Sequence, residues 1–278
     1  YLDMVDLMDN SIIDVDRGER LANEAIGIDS LKNDRNLMLF PFCSTSKALR
    51  FKSIKYTSKD NKFSLEVTAN NEYGMVKIWD FDILRFVFSK IDTIANRTGY
   101  HPSSVTFSSY ECLKFLGRNP KAGKNIVWLK EALDRLASTT YKGNIFKDEG
   151  KHVTGFTLIR YDYIETSRGI EKISISLDER LVFSLRNSNS LITINERVLE
   201  ETSGLKKRLL ELVALKLSLD GEWIISVEEL QCLCANSWSI AKFKNEIKSF
   251  NDLPWSISER IVQDQACIRF STKEMSRA

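Results

Sequence analysis

The chain has 278 residues, 43% hydrophobic and 28% charged, with only 12 Gly and 4 Pro. This is the composition of a folded protein with room for two domains; it excludes a disordered or low-complexity chain, and apolar runs such as Leu209 to Leu215 are too short to span a bilayer. The net charge of +2 hides an uneven distribution: Asp3, Asp6, Asp9, Asp14, Asp16, Glu19, Glu24 and Asp29 crowd the start, whereas Lys114, Arg118, Lys121, Lys124, Lys130, Arg135, Lys142 and Lys147 face only Glu131 and Asp134.

Residues 1–47 are expected to form an acidic N-terminal segment ahead of a first domain over 48–170 and a second over 171–278; its acidic start, 1–29, is open between a disordered tail, a partner site and a helix packed on the first module. The first domain opens with a helix from Asp80, a candidate cap, whose buried face is Ile83, Leu84, Val87, Ile91 and Ile94. Val105-Thr106-Phe107 reads as a short strand. Ser108-Ser109-Tyr110-Glu111 reads as a capping box, in which Ser108 takes the amide three residues on and Glu111 reaches back. A short helix runs to Leu116, and Gly117 to Gly123, with Pro120, breaks it. A second helix, Lys124 to Ser138, buries Ile126, Leu129, Leu133 and Leu136. Two strands, 139–146 and 153–161, then flank a polar turn at 147–151.

The second domain repeats this order. Ser176-Leu177-Asp178-Glu179 is a capping box for a short helix, and 205–219 is an apolar-faced helix. Trp223-Ile224-Ile225 is the short strand, and Ser226-Val227-Glu228-Glu229 is a capping box in the same relative place. A helix to Cys234, a turn at Asn236-Ser237 and a helix over 239–250, buried through Ile240, Phe243, Ile247 and Phe250, follow. Strands at 254–258 and 266–271 close the unit. Helix, strand, helix, turn, helix, two-strand wing is the order of a winged helix, so the expected fold is α+β with two winged-helix modules in tandem. Pattern alone leaves open an α+β protein without a nucleic-acid role.

A winged helix presents its last helix to the major groove. In the first module this exposes Lys121, Lys124, Asn125, Lys130 and Arg135, with Lys142 and Lys147 on the expected wing. In the second it exposes Ser237, Ser239, Lys242, Lys244, Asn245 and Lys248, with Arg260 and Arg269 on the wing. Lysines suit phosphates, whereas Asn can read adenine with two hydrogen bonds. The mixture on the second helix favours it as the specificity element. Trp238 reads as packing against the turn.

Signals for chemistry are weak. His101 and His152 lie far apart, and no His-x-His accompanies a tyrosine nucleophile, so a rolling-circle nuclease is not expected. Cys232-x-Cys234 is too tight for a zinc knuckle and lacks a second pair. There is no phosphate-binding Gly-x-x-x-x-Gly-Lys-Ser/Thr loop and no Gly-x-Ser-x-Gly elbow. Helix capping accounts for Asp80 and Asp82 better than a catalytic carboxylate pair. The expectation is a protein that binds rather than catalyses, with no cofactor and no metal. Five cysteines without framework spacing point to reduced thiols and the cytoplasm. The opening Tyr1-Leu2-Asp3-Met4 is no secretory leader, and a chain opening on Tyr1 is expected to lack its natural start.

Several blocks resemble the plasmid replication initiator protein A (RepA-like) family. They are Gly74 to Leu84, Phe107 to Leu113, Leu129 to Leu136, Thr139 to Ile145, Gly155 to Ile159, Ile175 to Leu177 and Leu205 to Leu212, within about 48–252. The blocks Trp79 to Leu84 and Leu129 to Ile145 are the most specific. The resemblance implies an initiator that binds repeated double-stranded DNA sites at a plasmid origin, helps open adjacent AT-rich DNA and attracts host helicase and replisome proteins. It also implies autorepression and exchange between homodimer and monomer. A transcriptional regulator using the same modules is the alternative. Where the family has arginine-rich stretches this chain more often has lysine, which makes bidentate guanine contacts fewer.

Overall fold

The computed structural model describes residues 13–146, 154–167, 169–187 and 190–272. The chain begins with α1 (Val15–Ala22), β1 (Lys32–Asp34), α2 (Arg35–Leu39) and the strands β2 (Ile54–Thr57) and β3 (Ser64–Thr68). Asp14 and Asp34 cap the two helices through their carboxylates. Ala22, Leu37 and Phe42 are buried in the main core. Over 13–47 the segment is folded, and α1 packs against the long helix of the first module, because its apolar residues have a core to join. Residues 1–12 lie outside the described residues.

The first module follows as α3 (Phe81–Thr98), β4 (Ser104–Phe107), α4 (Ser109–Phe115), α5 (Gly123–Ser138), β5 (Thr140–Gly143), β6 (Thr154–Phe156), β7 (Ile159–Thr166), β8 (Gly169–Leu177) and α6 (Glu179–Asn187). Its helix-turn-helix stands where periodicity places it, but the wing does not. β5 and β6 leave the module and complete a four-stranded sheet in the order β2-β3-β5-β6. The cause is packing. Tyr141 is fully buried and its hydroxyl donates to the Phe42 carbonyl, and Gly143 runs so close to β3 that an added Cβ would lie 2.3 Å from the Ser64 carbonyl oxygen. The wing is the next hairpin, β7–β8, and β8 pairs with β4 in the order β4-β8-β7. Ser176 accordingly belongs to β8, opposite Ser104, to whose hydroxyl it donates, and it is Asp178 that accepts the Arg180 amide.

The second module comprises β9 (Leu191–Thr193), α7 (Arg197–Glu200), α8 (Gly204–Asp220), β10 (Glu222–Ser226), α9 (Val227–Leu233), α10 (Ile240–Ser249), β11 (Trp255–Val262) and β12 (Gln265–Thr272). Its sheet order, β10-β12-β11, matches β4-β8-β7. Gly99 and Gly221 end α3 and α8, the helix before the short strand in each module, with φ of 69° and 68°, left-handed values that turn the chain into that strand. A division at 170/171 would cut the β7–β8 hairpin. Apart from Ala235 and the half-buried Leu191 and Leu199, which pack on the first core, the apolar cores instead part after α6: Leu181 and Leu185 belong to the first, Val198 and Leu205 to the second.

The modules are joined by buried charge. Arg85 on α3 makes two hydrogen bonds to Glu211 on α8, both 2.8 Å. Lys207 on α8 reaches Asp82 on α3 at 2.9 Å. Asn33 donates to Glu211, and Arg208 donates to the carbonyls of Leu37, Met38, Phe40 and Leu233. Burial pushes the Glu211 carboxyl up, but the Arg85 charge and hydrogen bonds outweigh it and hold the group below its ordinary value. Asp82 is thus a partner of Arg85 and Lys207 rather than the cap of α3. Gly204 approaches so closely that a Cβ there would lie 2.1 Å from the Thr45 carbonyl oxygen.

Candidate nucleic-acid interface

In the first module, the Ser108 hydroxyl accepts the Glu111 amide at 3.0 Å, as the capping box requires. Glu111 does not reach back; its carboxylate lies 3.6 Å from the buried Lys90 ammonium. Gly117, with φ of 67°, ends the helix. The turn is held by Asn119, whose side chain accepts the Lys121 amide and whose carbonyl accepts from the Asn125 side chain at 2.9 Å. Asn125 therefore builds the turn. Arg118 lies over Trp128, 3.7 Å from the ring centroid.

Leu129, Ala132, Leu133 and Leu136 anchor α5, while Ile126 is only half-buried. Lys121 and Lys124 are exposed at its N-terminal approach and make no ion pair among the described residues. Lys130 is tied to the wing, 2.6 Å from Glu165 on β7. Arg135 departs from the expected exposed position. It is buried and grips Asp80 with two hydrogen bonds of 2.7 and 2.9 Å. Asp80 accordingly makes no side-chain cap to α3; its carboxylate takes Arg135 and the Lys77 amide. Lys142 is exposed, but on β5 opposite Glu66 rather than on the wing. Lys147, with the expected 147–151 turn, lies outside the described residues.

In the second module the Ser226 hydroxyl accepts the Glu229 amide, and Glu229 pairs with Lys59 rather than closing the box. Ala235, with φ of 50°, turns the chain toward Ser237. Ser239 caps α10 by accepting the Lys242 amide. Phe243 and Ile247 hold the helix down; Ile240, expected inside, is exposed at the first turn, and Phe250 is half-buried. Ser237, Ser239, Lys242, Asn245 and Lys248 share the open side. Lys242 sits over the exposed Trp238 ring at 4.6 Å. Lys244 and Lys248 both reach Glu259 on β11, at 3.1 and 2.8 Å. These two lysines hold the Glu259 carboxyl below its ordinary value. Beyond the bridge, Arg260 and Ile261 are exposed, and Gln263 and Asp264, both at positive φ, make a two-residue turn. Arg269 faces back to Glu222.

Each of α5 and α10 is therefore bridged by lysine to a glutamate on its own wing, so helix and wing form one surface. Neither Glu165 nor Glu259 was legible as part of the site, because a bridge between elements leaves no local spacing to read. Among the described residues no group of three or more His, Cys, Asp and Glu could hold a metal ion, and no helix is long and apolar enough to cross a membrane. Cys234 is buried, its thiol pushed up to about 12, whereas Cys232 is exposed.

A family model described as Replication initiator protein A matches residues 32–254. A protein of Wigglesworthia glossinidia brevipalpis, named provisionally as a replication protein, is 27% identical over 190 residues, or 65% of this chain and 68% of that one. Two crystal structures of domains 2 and 3 of RctB share the fold. One has a TM-score of 0.60 at 11% identity and covers 86% of this chain and 98% of that one. The other has a TM-score of 0.53 at 10% identity, with coverages of 84% and 95%.

Proposed function

We propose, for a chain that belongs to the replication initiator protein A family, that initiation proceeds through sequence-specific binding of repeated duplex sites at a plasmid origin. The observation that carries this reading is the repeated assembly of exposed recognition-helix N-terminus and bridged wing. Lys121 and Lys124 in the first module, and Lys242 in the second, supply phosphate contacts. Asn245 is the base reader, since its side chain is exposed, whereas the Asn125 amide is spent on its own turn. Arg135 has no place at this surface.

The protein acts by binding and not by bond chemistry. Opening of adjacent DNA, recruitment of host helicase and replisome proteins, and exchange with a homodimer belong to the same reading, in the cytoplasm. The experiment is selection of bound duplexes from a random pool, followed by deletion of the enriched repeats from a minimal plasmid that encodes the protein. Replication should be lost with the repeats; replication without them would sink the proposal. Asn245→Ala should reduce discrimination between the selected duplex and random DNA by about tenfold. Lys242→Ala should weaken binding to both alike.

A further inference from the structure

We propose that the cleft between α8 and the β9–α7 segment binds a small, neutral, apolar molecule that carries one hydrogen-bond acceptor. The cleft has a volume of about 210 Å³. Its inner wall is Met38, Val198, Leu210 and Leu215, all buried, and Trp255 at the start of β11 is a further wall. Ala214 and Ser218 on the outer side of α8 are exposed and leave a mouth to solvent. The site shares no lining residue with α5, α10 or the turn of either wing, and it does not rest on the duplex-binding reading.

Trp255 decides that the occupant carries an acceptor. The residue is 6% exposed, and its indole N–H is closed to solvent and has no hydrogen-bond partner among the described residues. The half-buried Trp79, by contrast, gives its N–H to the Glu201 carbonyl at 3.3 Å. A buried donor without an acceptor is costly, and native structures leave few of them. Water is a poor remedy here, because a buried water needs about two to four polar partners and the inner wall is apolar. Polar groups at the rim are already engaged: the Asn195 side chain accepts the Arg197 amide, and the Ser218 hydroxyl donates to the Leu215 carbonyl. An acceptor held against the Trp255 ring removes the cost.

Size and charge narrow the class further. An apolar cavity of ~150 Å³ is enough for benzene, whereas drug-sized ligands take about 300 Å³ or more. The occupant is therefore about as large as a benzene ring with a short substituent. No acidic residue lines the cleft, and its one cation, Arg197, already meets Asp252 at 2.8 Å. An ionised ligand would lose its hydration there without finding an unspent counter-charge. Small cyclic ketones, esters and amides fit; carboxylates and ammonium ions do not. The occupant would touch α8, which carries Lys207 and Glu211 of the joint, and β11, which carries Glu259 of the wing bridge.

The test uses the full chain, with acetophenone as the probe. Its acceptor-free counterpart is α-methylstyrene, in which a methylene group replaces the carbonyl oxygen. Proton–nitrogen correlation spectra show the indole N–H signals of the five tryptophans, and Trp255→Phe identifies that of Trp255. Acetophenone should move the Trp255 signal downfield in a saturable way. Affinities in both chains are read from the methyl signals of Leu210 and Leu215. Trp255→Phe should weaken acetophenone about tenfold and leave α-methylstyrene within about twofold. Ala214→Leu, at an exposed helical position, should fold, close the mouth and abolish binding of both probes. That comparison stands even where Trp255→Phe does not fold. An unmoved Trp255 signal overturns the proposal. So does equal weakening of both probes by Trp255→Phe, which would make the indole a filler and not a donor. Binding that survives Ala214→Leu would place the probe elsewhere and overturn it too. Failure to select a duplex would defeat the duplex-binding reading and leave these signals unchanged.

Discussion

Arg135 and Lys124 lie on the same helix and meet opposite environments. Arg135 is enclosed with Asp80, so removing it strands a buried carboxylate. Arg135→Ala should cost about 3–5 kcal/mol in urea unfolding and leave the salt dependence of DNA binding unchanged. Lys124→Ala should do the reverse, with unfolding unaltered and the slope of log affinity against log salt shallower by about 0.9. Glu259 offers a third test. It neutralises Lys244 and Lys248, so Glu259→Gln should strengthen binding to random duplex and steepen the salt slope. Because its carboxyl is held below the ordinary 4.5, the bridge stabilises the fold above that pH. This contribution disappears as pH falls through the lowered folded value. The protection of β11 amides, taken as their exchange rate relative to the intrinsic rate at each pH, should fall there as pH is lowered; constant protection would mean that the bridge does not hold the wing.

At the scale of elements, the chain's local signals read well where the interaction is local. Ser108 and Ser226 cap the helices that their spacing announces, and α5 and α10 lie within a few residues of the expected spans. The first wing failed for a physical reason. The 139–146 segment has strand alternation, but alternation does not name a partner. Tyr141 and Gly143 choose β3, more than 70 residues earlier in the chain, and the hairpin that does form the wing follows afterward. The same limit hid Arg135, since a helical wheel places it on a flank and cannot show Asp80 waiting 55 residues away.

At the scale of the whole molecule, two apolar cores meet across a polar joint. Arg85→Leu leaves Glu211 without its main partner and Asp82 with Lys207 alone. A loss of about 3–5 kcal/mol is expected, and calorimetry should resolve two unfolding transitions where the native chain gives one. A single transition in the variant would show that Arg85 is not what couples the modules.

The joint has a geometric consequence for any DNA that both modules engage. Charges locked in opposed pairs resist sliding as well as separation, so α5 and α10 keep a constant distance and bearing, as the jaws of a set caliper do. Such an instrument measures helical phase. Each base pair inserted between the two contact points turns the far one by roughly 34°. Five inserted pairs should therefore put it on the wrong side of the duplex and abolish joint engagement. Ten should restore the angle while lengthening the reach, and only a chain with a slack joint would tolerate every spacing alike.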